Sequence, residues 1–235
     1  MSYVLHHAPD NASLIVRLAL EELGVPYETR LVDRATRAQE SAAYRRVNPA
    51  GLIPALETSD GVLFETAAIL LWLADRHGRL APAPCDAGRG DVLKWLVFVS
   101  NTVHTGLRMT FYPEKYVGPD PQAQAALLST LRGPGETAMT LPRALALLDG
   151  FVATRDPDRA PDVLDLYVTV LLRWCALYPQ GDTGWFRLGA LPALEAMAQR
   201  LETRPSLRKA ALAEGLGPTP FSNPRPAQPP EGSAL

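Results

Sequence analysis

The chain has 235 residues, 47% of them hydrophobic, and a formal net charge of -2, which is enough apolar material for one large domain or two modest ones. Basic residues are scattered rather than striped, with lysine only at 94, 115 and 209, so a nucleic-acid partner is not expected. Cys85 and Cys175 fit no C-x-x-C or Cys/His ligand spacing; neither a disulfide framework nor a metal is expected, and a reducing cytoplasm is the expected location.

The chain opens with "YVLHH", a short run of β-formers, followed by "SLIVRLALEELG", whose apolar residues Leu14, Leu18 and Leu23 and terminal Gly24 predict a helix. "VPYETRLVD" predicts a second strand, "AQESAAYRRVNP" a short helix closed by Asn48-Pro49, and "IPALE" a third strand. After the turn "SDG" come a brief strand "VLF" and the helix "ETAAILLWLADRHG". The order β-α-β-α-β-β-α makes an α/β unit over residues 1–79. The most apolar run, "AAILLWLA", is too short to cross a bilayer, and the N-terminus carries no leader pattern, so no membrane association is expected.

Residues 80–88, with two prolines and no periodicity, are expected to form a linker. Residues 89–217 are expected to be all helical, with stretches near 87–110, 120–153, 162–178 and 190–203. The 162–178 stretch opens with Asp162 and Asp165, a reciprocal capping pattern, and is apolar on most faces, as a buried central helix would be. The proline-rich tail 218–235 holds little that could enter a core and is expected to be a strap or a disordered end.

A small α/β unit, a proline-bearing linker and an all-helical unit together resemble the cytosolic glutathione transferases. "NPAGLIPALE" (48–57) is similar to their Asn-Pro-x-Gly-x-[Ile/Val]-Pro-x-Leu segment, and "FETAAILLWLADRH" (64–77) to their [Glu/Asp]-[Ser/Thr]-x-x-Ile helix opening. "PDVLDLY" (161–167) stands where the family has its capped core helix, with Asp162 in place of the usual Ser or Thr. The resemblance covers about residues 3–215 and is nearest to the bacterial beta class. It implies a thioredoxin-like N-terminal α/β domain followed by an all-α helical-bundle domain. It further implies glutathione as co-substrate, a small electrophile as second substrate, a detoxification role and homodimers joined through the helices near 65–77 and 87–110.

The same resemblance implies where glutathione sits. X-Pro bonds are usually trans, but the motif implies a cis Ile53-Pro54 bond, which turns the N–H and C=O of Ile53 outward to pair with the cysteinyl unit. The γ-glutamyl carboxylate is expected at Thr66, at the start of a helix, with Glu65 on the ammonium group; as residues alone, both also read as simple helix caps.

The family activates the glutathione thiol with a Tyr, Ser or Cys, and those positions here hold His6, Asp10 and Ala12. The lack of a Cys argues against mixed-disulfide chemistry. The candidates left for catalysis are Ser13, Asn11 and His104, with backbone amides of the first helix as an alternative. Ser13 also reads as an N-cap, Asn11 as turn chemistry, and His104 as a structural residue of an apolar helix. An ionised Asp10 would oppose a thiolate. Arg108, Tyr112, Tyr116 and Trp174 are candidates for the second-substrate pocket, although aromatics so placed are often core. A glutathione-binding or partner-binding protein of this fold with little catalysis is the alternative function, and isomerisation, dehalogenation and ether cleavage also stay open.

Overall fold

The computed structural model describes residues 3–134 and 138–234; residues 1–2, 135–137 and 235, on which the expected ranges 1–79, 120–153 and 218–235 partly fall, lie outside the described residues. The first half follows the expected order. Strand β1 (Tyr3–His7) leads to α1 (Ala12–Leu23) and β2 (Tyr27–Leu31), and the short α2 (Ala42–Arg45) precedes β3 (Ala55–Thr58), β4 (Gly61–Phe64) and α3 (Thr66–His77). The sheet order is β2-β1-β3-β4, with β1 parallel to β2 and the other pairs antiparallel. This is a thioredoxin-like mixed sheet.

Helix α1 is the centre of the molecule. Every residue of it except Glu21 is buried, and it packs against α3 and against two helices from the second half of the chain. Asn11 caps its start through a bond from Ala12 N–H, and Gly24, at φ 69°, closes it in the left-handed region that glycine occupies without strain.

The second half is helical: α4 (Arg89–Phe98), a π-helical turn (Val99–His104), α5 (Thr105–Phe111), the single-turn α6 (Glu114–Val117), α7 (Pro121–Arg132), α8 (Leu141–Ala153), α9 (Val163–Leu177), α10 (Pro192–Glu202) and α11 (Pro205–Ala213). Three expectations need correction. The stretch 120–153 is two helices, because α7 stops at Gly133-Pro134. Helix α11 was not anticipated, since its mean polarity hides an apolar stripe at Leu207, Ala210 and Ala211 that lies against α1. Of the two readings of the tail the strap holds, with Gln228 N–H donating 2.8 Å to the Gly215 carbonyl, but it also enters the core, where Phe221 is fully buried.

Helix α9 is buried from Val163 to Cys175, and Asp162 and Asp165 form the reciprocal capping box that the sequence predicts. No helix among the described residues is long and apolar enough to cross a membrane.

Candidate functional site

A cavity of about 520 Å³ opens between the start of α1, the loop before β3, the start of α3 and the helical face from the π-turn to α6. Asn11, Ile53, Pro54, Glu65, Thr66 and His104 all line it. Ser13 does not. Its hydroxyl is fully buried, donates 2.9 Å to the Ala8 carbonyl and accepts from Ala8 N–H at 3.2 Å, so both of its polar roles are satisfied within the loop.

The Ile53-Pro54 bond is cis. Among the described residues the N–H and C=O of Ile53 enter no hydrogen bond, although β3 begins two residues later. A peptide could add one rung there. Across the cavity floor, Glu65 holds φ 71° and ψ 112° with no side-chain capping bond. Such a backbone costs a non-glycine residue about 1–3 kcal/mol. Glu65 and Thr66 thus bring the start of α3 to the cavity, and the unpaired first-turn N–H groups of a helix favour a carboxylate. Gln39, which also lines the cavity, carries a buried Oε1 without a hydrogen-bond partner among the described residues.

Asp10, Asn11 and Ala12 form the loop at the start of α1. Asn11 Oδ1 accepts from Ala12 N–H at 2.7 Å, so the Nδ2 amide is the end left to donate. Asp10 points inward instead. Its Oδ1 accepts from Arg173 Nε (2.8 Å) and Trp174 Nε1 (3.2 Å), and its Oδ2 from Arg173 Nη2 (2.8 Å) and the Tyr178 hydroxyl (2.7 Å). Arg173 is fully buried and donates as well to the carbonyls of Pro220 and Arg225. The acid that would oppose a thiolate is thus neutralised by a cation and two further donors.

The π-turn turns Ser100, Asn101 and His104 toward the cavity; such turns recur at functional sites. His104 Nδ1 lies 2.7 Å from the Tyr167 hydroxyl, and its ring meets those of Tyr167 and Trp174 at 5.6 and 5.3 Å. Burial first, and the Arg108 charge second, pull the His104 pKa from 6.5 to about 4, so the imidazole is neutral near pH 7. Burial pushes the Tyr167 phenol up and keeps it protonated. With the phenol as donor, Nδ1 accepts and Nε2 carries the proton.

Arg108, Tyr112 and Trp174 line the cavity, whereas Tyr116 is exposed outside it. The sequence reading missed Arg34, Tyr167, Arg173, Tyr178 and the tail residue Ala234. Only Arg173 left a local signal, as a lone charge inside the apolar run "VTVLLRWCAL". The others arrive by contacts distant in sequence.

Residues 12–76 match the family described as the glutathione S-transferase N-terminal domain. Glutathione S-transferase GST-4.5 of Xanthomonas campestris pv. campestris is 29% identical over 221 residues, covering 90% of this chain and 98% of that one. Among solved structures, a sphingomonad glutathione S-transferase complexed with glutathione is 32% identical with a TM-score of 0.70, covering 91% of this chain and all of that one. The transferase from Xylella fastidiosa is 26% identical with a TM-score of 0.76, over 92% of this chain and all of that one.

Proposed function

The chain belongs to the cytosolic glutathione S-transferase family, and from that premise we propose that it conjugates the glutathione thiolate to small electrophiles in a cytoplasmic detoxification role. The observation that carries the reading is the meeting of three things in one cavity: the free Ile53 peptide edge, the Glu65-Thr66 helix start and the donor amide of Asn11. In this reading the cysteinyl backbone pairs with Ile53 beside Pro54. Thr66 takes the γ-glutamyl carboxylate, and Glu65 takes the ammonium group.

The sulfur then lies over the start of α1. A free thiol has a pKa of about 8.5, which a helix N-terminus and one amide donor lower toward neutrality. Asn11 supplies that donor. Neutral His104, with its proton on Nε2, is a second donor, and Ser13 serves the loop rather than the sulfur because Ala8 occupies its hydroxyl. The thiol proton leaves to water, and the electron pair on sulfur attacks the electrophile. No metal is needed for this chemistry.

Homodimerisation is part of the proposal, supported by Val62 and Phe64 on β4 and Val97 on α4, which are 42%, 41% and 54% exposed. Transferase relatives over most of the chain favour turnover over the binding-only alternative. The test is retention on immobilised glutathione together with conjugation of 1-chloro-2,4-dinitrobenzene. Retention and thioether formation are expected; retention without turnover returns the binding-only alternative, and neither overturns the glutathione assignment.

A further inference from the structure

Three cations of the cavity have no carboxylate partner among the described residues. Arg34 donates to neutral oxygens, the Tyr112 hydroxyl at 2.5 Å and the Ala234 carbonyl at 3.0 Å. Lys115 Nζ stands 4.2 Å from the Tyr112 ring centroid. Arg108 is half-buried and makes no side-chain hydrogen bond or ion pair among the described residues. Of the acids that share the cavity, Asp10 is engaged by its four donors and Glu40 by Arg37, while Glu65 lies near Tyr167 and makes no ion pair with Arg34, Arg108 or Lys115 among the described residues. A partly desolvated guanidinium without a counter-charge is costly unless something supplies one.

Position separates these cations from the expected γ-glutamyl end. His104 and Tyr167 stand near Glu65 and Thr66. Arg108 follows His104 by four residues, about 6 Å along the helix, and Tyr112, just past the end of α5, carries the line on to Arg34 and the tail. An aromatic wall lies alongside: Phe111 packs edge-on against Trp174 and Tyr178, with centroids 6.4 and 6.1 Å apart. Asp10, the neighbour of Asn11, tethers both of the latter. If the sulfur lies at Asn11, an aryl ring on that wall would sit beside it, and Arg108 lines the same cavity.

Resting on the transferase reading, we propose that this half of the cavity selects aromatic electrophiles that carry an acid group, the anion on Arg108 between Arg34 and Lys115 and the ring against Phe111, Trp174 and Tyr178. With 4-chloro-3-nitrobenzoate, the thiolate sulfur bonds to the ring carbon that bears chlorine. The C–Cl bond breaks, chloride leaves with its electron pair, and the thiol proton is released to water.

The test binds two thioethers to the full chain by calorimetry, S-(4-carboxy-2-nitrophenyl)glutathione and S-(2,4-dinitrophenyl)glutathione, and compares kcat/KM for the two parent aryl chlorides. The wild type is expected to hold the carboxylate thioether about tenfold more tightly, the worth of one charge-assisted hydrogen bond. Arg108→Gln removes that preference and lowers the carboxylate-to-neutral ratio of kcat/KM about tenfold, while Arg108→Lys keeps several-fold of both. Equal binding of the two thioethers by the wild type, or an equal loss on both in Arg108→Gln, overturns the proposal. If neither chloride is turned over but the binding preference persists and needs Arg108, the anion subsite stands and only the transferase reading fails.

Discussion

Asn11 and Ser13 are two residues apart on one loop, yet their surroundings differ. The Ser13 hydroxyl is bonded on both sides by Ala8, whereas Asn11 has a donor end in the cavity. Asn11→Ala is therefore expected to lower kcat/KM roughly tenfold or more, the worth of one donor to an anion, and to move the pH at half-maximal rate upward. Ser13→Ala should leave that pH unmoved and lower the urea midpoint instead. His104 gives a separate, pH-dependent prediction. Its folded pKa of about 4 lies below its ordinary 6.5, so as pH falls the unfolded chain takes up the proton first. The stabilisation is complete above about pH 6.5 and is lost on descent toward pH 4. Between pH 7 and 5 the wild type should lose about 2 kcal/mol more stability than His104→Gln, read from urea unfolding at each pH. Differencing against the variant cancels the opposite contribution of Glu214, whose carboxyl burial pushes up to about 7. Sequence alone could name Asn11, Ser13 and His104 as candidates, because residue type limits what a side chain can do. It could not rank them, since the ranking depends on Ala8 and Tyr167, partners set by folding.

At the scale of elements, local structure is legible in the sequence where its signals repeat or terminate. The alternation and turn residues of the first eighty positions produced β1 through α3 in order, and Asp162 with Asp165 located the start of α9 to within a residue. The capping box is also reinforced by Arg155 and Arg159, which pair with both acids. Asp162→Ala should cost about 2 kcal/mol, measured as a fall in urea midpoint at unchanged slope. The boundary between α7 and α8 was missed because both flanks carry helix formers, and a single Gly-Pro pair outweighs them. Helix α11 was missed for a different reason: its apolar stripe is three residues wide and gains meaning only against α1. The backbone of Glu65 belongs here too, since a strained residue at the start of α3 is set by the strand and helix on either side, not by its own preferences.

For the molecule as a whole, the tail changes the reading most. Composition made it a strap or a disordered end, because proline-rich segments bury little surface. Packing makes it the strap, with specific partners: Arg173 donates to the carbonyls of Pro220 and Arg225, Glu231 lies 3.3 Å from His7, and Ala234 lines the cavity. A Cβ on Gly215, which holds φ 64°, would meet the Gln228 carbonyl oxygen at 1.9 Å, so the tail and the loop after α11 fit only as they are. Truncation after Gly217 should cost on the order of 5 kcal/mol, from the Phe221 site and two bonds to a buried cation. It should also lower activity, because Arg173, which neutralises Asp10 beside the proposed sulfur position, loses its two tail carbonyls. Thermal unfolding and conjugation rate of the truncated chain check both.

The Asp10–Arg173 pair also bears on the order of synthesis. Asp10 leaves the ribosome 163 residues before its cation, and that cation then waits another 47 and 52 residues for its two carbonyls. Domains usually fold in the order they emerge, but here the bonds of Asp10 to Arg173, and of Arg173 to Pro220 and Arg225, can close only once the tail has been translated. The first part of the site to be made is therefore among the last to be finished.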